Sequence, residues 1–147
     1  MKQIALIASM MVALAAADVW ADASDDTLKF YLSKSDCVAL GTIVSEPHAI
    51  IMESGVLTYT CDFRISDVVK GEGGMKNRTI RVSIQRLEMD TKDRHPLLKK
   101  DSECILFLKN ASPNVPQWVT ADFWFGIQFP SPAMIRSLKR MDGESKR

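Results

Sequence analysis

The sequence predicts a mainly β protein with short flanking helices, and three observations carry that expectation. Tyr59, Cys61, Phe63 and Ile65 alternate with Thr60, Asp62, Arg64 and Ser66, the period of two expected for a strand wet on one face. Ile80, Val82 and Ile84 repeat the alternation between Thr79 and Ile84, while Cys104 to Lys109 is apolar nearly throughout, as a buried strand is. Helix signals are confined to the two ends of the chain.

The first 23 residues read as a leader and not as part of the fold. Lys2 precedes an apolar run from Ile4 to Ala17, 14 residues long and too short to span a bilayer comfortably. Ala21-Asp22-Ala23 offers the small-x-small pattern of a signal-peptidase site, with Ala15-Ala16-Ala17 as a second one. The expectation is an exported protein, periplasmic or secreted, beginning at Ser24 and holding no membrane anchor after cleavage. Of the 147 residues, removal of 23 leaves 124, enough for one domain over residues 24–141 with a frayed tail at 142–147. The leader holds one Lys and two Asp, so the net charge of +1 becomes +2, too near neutrality for general attraction to nucleic acid or anionic membrane.

Ser24-Asp25-Asp26-Thr27 caps a first helix, whose Leu28, Tyr31 and Leu32 recur at helical spacing up to Lys34. Cys37 to Ser45 is the first strand. Its first half is apolar on both faces, which makes it central, and Gly41 marks the bulge or bend that closing a small barrel requires. Glu46-Pro47 interrupts the ladder and Ala49 to Met52 resumes it. After a turn at Glu53-Ser54-Gly55, the long alternating strand runs back antiparallel to the first. Lys70-Gly71-Glu72-Gly73-Gly74 ends that strand, with three glycines in four residues to make a turn. Gln85 to Glu103 is a polar excursion anchored by Leu97 and Leu98. Asn110 to Pro116 is a loop by composition. Trp118–Ala121 and Phe125–Phe129 are the last strands or one bent strand. Ser131-Pro132 then starts a closing helix, with Met134, Ile135, Leu138 and Met141 as its apolar stripe.

The residues Asp36 to Ser45, Tyr59 to Gly71 and Cys104 to Lys109 together resemble netrin-type and tissue-inhibitor-of-metalloproteinases-like modules, and the small exported bacterial proteins that share their barrel. The resemblance implies a five-stranded, OB-like closed barrel with a helix packed on it, here with an N-terminal and a C-terminal helix. It does not carry the inhibitory chemistry. In that family the first mature residue is a cysteine that chelates the target zinc, whereas here Ser24 is expected first and Cys37 is the nearest cysteine. The family's dense disulfide framework is missing as well, so a fold transfers and a function does not.

Candidate chemistry is sparse. Cys37, Cys61 and Cys104 permit either one disulfide with one thiol left over or three inert buried thiols, and the pairing stays open. A nucleophilic cysteine needs an electropositive polar pocket, and these three lie in apolar runs. His48 and His95 fall in predicted loops beside Pro47 and Pro96. No Cys-x-x-Cys, His-x-His or His-Glu-x-x-His occurs, so neither a metal nor another cofactor is expected. Gly71-x-Gly73-Gly74 lacks the Gly-Lys-Ser/Thr ending of a phosphate loop. Lys70 to Lys100 holds nine basic and four acidic residues. Yet no aromatic lies between Phe63 and Phe107 to stack bases, and nucleic acid is not an expected partner. Asn77-Arg-Thr79 and Asn110-Ala-Ser112 are formal glycosylation acceptors, of consequence only in a eukaryotic source.

The function this supports is an exported, non-catalytic binding or interaction module for an envelope or protein ligand. Phe123, Trp124 and Phe125 are the expected partner surface, since three consecutive aromatics on an extended segment cannot all face one core. The bland alternative is that these aromatics seat the closing helix. Two rival functions stand beside the module. One is a small hydrolase with acid–base carboxylates among Asp90, Asp93 and Asp122. The other is a structural accessory domain of the cell envelope.

Overall fold

The computed structural model describes residues 24–51, 55–87, 98–112, 114, 117–121, 126–128 and 130–147. Helix α1 (Asp25–Lys34) starts at Ser24, whose side chain accepts from the Thr27 amide at 3.3 Å, with Asp25 and Asp26 in the positive first turn. Strand β1 (Cys37–Ile43) follows, then β2 (His48–Ile51), β3 (Val56–Lys70), β4 (Thr79–Leu87), β5 (Glu103–Asn110), β6 (Trp118–Thr120) and β7 (Ile127–Gln128). Helix α2 (Pro132–Ser145) closes the chain, capped by the Ser131 hydroxyl on the Met134 amide at 3.1 Å.

Five strands close on themselves. β1 pairs antiparallel with β3 on one edge and with β5 on the other; β3 pairs antiparallel with β4; β4 lies parallel to β6; and β6 pairs antiparallel with β5. The ring β1-β3-β4-β6-β5-β1 is a mixed five-stranded barrel of OB-like form, flanked by the two helices. The central position expected for the first strand is therefore correct, and both its edges are spoken for.

Closure bends β1 at Gly41, as expected. The register against β3 shifts between Leu40 and Gly41, and again between Val38 and Ala39. A Cβ on Gly41 would collide with the Arg64 carbonyl oxygen and come within 2.7 Å of Phe63 Cζ. Only glycine lets β3 approach this closely.

Alternation then sorts the apolar residues into two layers. Cys37, Ala39, Ile43, Cys61, Phe63, Ile65, Val82, Ile84, Cys104, Leu106 and Leu108 fill the barrel interior, with Leu98 packed at its margin. Val38, Ile105 and Phe107 point out of β1 and β5 instead. Leu28 and Leu32 of α1 and Met134, Leu138 and Met141 of α2 cover them. This outer layer explains why both strands read as apolar on two faces, and it seats α2 on strands and helix, with Val69 included.

Three expectations on element bounds need correction, while the last two strands, β6 and β7, lie within the bounds expected for them. β2 resumes along β3 the ladder that β1 leaves at Ile43↔Phe63, as expected, but it starts a residue early, from His48↔Thr60 to Ile51↔Leu57, so His48 lies in a strand and not a loop. β4 continues past Ile84 to Leu87 because β3 remains beside it as far as Val56. β6 and β7 run along one edge of β5 as an interrupted strand: the Ala121 amide bonds to the Phe107 carbonyl at 2.8 Å, and the Phe107 amide bonds to the Gly126 carbonyl at 2.9 Å. The third correction is that residues 142–147 do not leave the fold at Met141. α2 runs on to Ser145, Asp142 is buried, and Lys146 pairs with it at 2.8 Å.

Candidate functional site

Four residues of the stretches that carry the family resemblance, Asp36, Ser45, Lys70 and Gly71, prove to be joints of the barrel. The Asp36 carboxylate accepts from the Asn110 amide at 2.9 Å, and its own amide donates to Leu108 at 2.8 Å, which ties the start of β1 to the end of β5. The Ser45 hydroxyl accepts from the Asp62 amide at 2.8 Å where β1 has ended. Lys70 lays its ammonium on the Leu32 carbonyl at 2.7 Å, a cation on the negative end of α1. Gly71 then turns with φ +121°, a conformation closed to side chains. Lys-Gly is thus a helix cap followed by a turn.

The cysteines are three buried thiols. Register explains why none pairs with another. Cys104 lies opposite Gly41, four residues along β1 from Cys37, or roughly 13 Å at strand rise. Cys61 sits two residues beyond Phe63, which faces Ile43 from the other side of β1, so β1 itself separates Cys61 from Cys104. A disulfide needs Cα atoms within about 7 Å. Burial, and then the adjacent Asp36, push the Cys37 thiol up to about 11; burial and Asp62 do the same to Cys61. These are the opposite of activated nucleophiles.

The helices pack over the outer faces of β1 and β5 and over the end of β3 at Val69; among the described residues no helix packs over β3 from Thr58 to Arg64 or over β4. Along this stretch, cross-strand neighbours form a polar ladder: Thr58 with Gln85, Thr60 with Ser83, Asp62 with Arg81 and Arg64 with Thr79. Arg81 Nε reaches Asp62 Oδ1 at 3.1 Å, while Arg64 points into solvent. The Thr58 hydroxyl is buried, and among the described residues it has no hydrogen-bond partner. Such a group costs on the order of 1–3 kcal/mol unless something satisfies it. This ladder escaped notice as a site in the sequence because strand alternation alone does not tell an open outer face from one that helices cover.

Elsewhere the chemistry is structural. Asp67 receives Lys139 Nζ at 2.6 Å, and that hydrogen bond first of all holds its carboxyl below the usual range. A cleft of about 360 Å³ lies between the last turns of α1 and α2, with Leu32 and Met141 at its floor and Lys29, Lys70, Asp142 and Glu144 around it. Lys70 is committed to Leu32 and Asp142 to Lys146, so the cleft's charges serve the helix ends. Among the described residues no three His, Cys, Asp or Glu side chains come together to hold a metal ion, and no helix is long and apolar enough to cross a membrane.

Several residues singled out in the sequence lie outside the described residues: the leader 1–23, His95, Asp90, Asp93 and Asp122, and the aromatic set Phe123, Trp124 and Phe125. What flanks that aromatic set is described. Ala121 and Gly126 both bond to Phe107, so the chain leaves β5 and returns to it at one residue. No protein-family model matches this chain, and no curated protein matches it either.

Proposed function

We propose that the chain is an exported, non-catalytic binding module that engages its ligand through the outer face of β3 and β4. The observation that carries this is the polar ladder from Thr58 to Arg64, over which no helix packs among the described residues, with a buried hydroxyl at Thr58 that has no partner among them. OB-like barrels commonly bind along this pair of strands and the loops beside it. The raised thiols and the depressed Asp67 carboxyl are poorly suited to proton transfer or attack at neutral pH, which favours binding over catalysis. The aromatic set Phe123, Trp124 and Phe125 stays a second proposed partner surface, outside the described residues. Kinship with netrin-type and inhibitor-like modules is proposed at the level of the barrel alone.

The test is affinity capture from envelope extract with the wild-type chain and two variants. Thr58→Val removes the unsatisfied hydroxyl and leaves stability unchanged or higher, yet weakens capture; Thr60→Arg obstructs the face and abolishes it. Capture of the same partner at wild-type level by both variants refutes the proposed face. Intact mass of the exported protein tests the leader: a chain starting at Ser24 agrees, and a retained Met1 removes the export reading.

A further inference from the structure

The charges from Asp62 to Arg81, along β3, β4 and the turn between them, do not cancel. Arg81 takes Asp62, Lys139 takes Asp67, and Lys70 lies on the Leu32 carbonyl. Arg64, Lys76 and Arg78 are left over, all three exposed and without an ion pair among the described residues. Glu72 is the one carboxylate of this stretch left to oppose them. Backbone pairing gathers these cations at one corner of the barrel. Thr79 lies opposite Arg64, and the turn is pinned to β3 at Ile65, whose amide donates to the Arg78 carbonyl at 2.9 Å and whose carbonyl accepts from the Asn77 amide at 2.8 Å. By alternation Arg64 stands on the outer wall, while Arg78, of opposite parity to Thr79 yet exposed, stands at the rim. The Asp67 carboxyl, held low first by Lys139, also feels Lys76, so that ammonium stands near the same strand. Arg81, bonded to Asp62 yet exposed, adds a fourth cation, and Glu103, across β1 opposite Thr42, marks the limit of the patch.

We propose that this corner of the β3–β4 hairpin binds an acidic segment of another protein, extended and with carboxylates at alternate positions. A guanidinium offers a fork of N–H donors that matches a carboxylate, and an extended segment turns alternate side chains to one side. Other anions fit less well. Single-stranded nucleic acid asks for aromatic rings on which bases stack, and Tyr59 and Phe63 of this hairpin pack into the barrel. An anionic membrane is held by clusters of about four to eight cations, more than the three left unpaired here. The same charges argue against a second copy of this chain. A two-fold contact would set the patch against itself, and facing like charges repel. Asp25, Asp62, Asp67 and Asp142, moreover, are already engaged by cations of their own chain. The proposal names the partner of the binding face described above and rests on that reading.

The test is fluorescence anisotropy of a labelled, blocked peptide, Glu-Thr-Glu-Thr-Glu-Thr-Glu, titrated with the purified chain. Saturable binding is expected, weakening as salt is raised. The Arg64→Gln, Arg78→Gln double variant should bind about tenfold more weakly, and a peptide with Gln for each Glu should not bind. Lys29→Gln, Lys109→Gln removes the same charge from exposed positions of α1 and β5 and should cost less than about twofold. No saturable binding, or equal losses in the two double variants, overturns the proposal. So does tighter binding of an oligothymidylate or of heparin, compared at equal charge, or a dimer in sedimentation that Arg64→Gln, Arg78→Gln dissolves. If the patch variant still captures the partner while Thr58→Val and Thr60→Arg do not, the binding face stands and the acidic partner is wrong. If the peptide binds through the patch while those two variants capture normally, the acidic site is supported and the Thr58 end of the face is wrong.

Discussion

Replacing Gly41 with alanine tests the closure of the barrel at one atom. The added Cβ would meet the Arg64 carbonyl oxygen, its carbonyl carbon at 3.0 Å and Phe63 Cζ at 2.7 Å. Phe63 is fully buried, and the carbonyl belongs to β3, which pairs with β1 on one side and β4 on the other. No rotamer change relieves a clash with backbone, so β1 must move away from β3 or β3 from β4. Overpacking typically costs about 1–3 kcal/mol, and a backbone obstruction belongs at or above the top of that range. With a urea slope of about 1.5 kcal/mol/M, a loss of ~3 kcal/mol lowers the midpoint by roughly 2 M. Gly74→Ala is the control, since nothing lies within 4 Å of a Cβ there, and its cost should stay within about 0.5 kcal/mol. Equal midpoints for the two variants would refute the close approach of β3 at Gly41.

Phe63→Ala should cost ~3–5 kcal/mol and Arg64→Ala no more than about 0.5, because the first side chain fills the barrel and the second faces solvent; urea midpoints compare them. Removing the chain after Pro130 deletes the buried Met134, Leu138 and Met141, roughly 5–9 kcal/mol of burial at ~1.5–3 each, which rivals the whole stability of a domain. The truncated chain should lack a cooperative unfolding transition, and a transition at the wild-type midpoint would remove α2 from the fold's support. In alkali, the raised Cys37 and Cys61 thiols make the folded state hold protons that the unfolded chain releases near 9. Their contribution is whole below that pH and is lost as pH rises toward about 11, at ~1.4 kcal/mol per unit for each thiol. Stability against pH for wild type and the Cys37→Ala, Cys61→Ala double variant measures this, and identical slopes between pH 9 and 11 would contradict it.

Strand identity was legible wherever one face is wet and the other buried. Tyr59 to Ser66 and Thr79 to Ile84 announced both faces through alternation, and the caps at Ser24 and Ser131 announced their helices. That β2 resumes the ladder on β3 was legible from the interruption at Glu46-Pro47, but its start at His48 was not. Asp142 was read as tail because a carboxylate after Met141 looks like a helix ending; its burial depends on Lys146, one turn further on. The polar ladder was visible as individual residues. That they stand on a face over which no helix packs among the described residues required knowing where Leu32, Leu138 and Met141 pack.

The spacing of the thiols along β1 bears on how this barrel can be made and kept. With four β1 positions between Cys37 and the level of Cys104, and β1 itself between Cys104 and Cys61, an oxidant finds no pair to join and a reductant finds no bond to open. The barrel's integrity therefore rests wholly on noncovalent closure of β1 between β3 and β5. Purified chain should unfold at the same urea concentration with or without dithiothreitol, and folding needs no disulfide-forming catalyst. A glutathione-rich cytosol and an oxidising envelope are, for this fold, the same solvent.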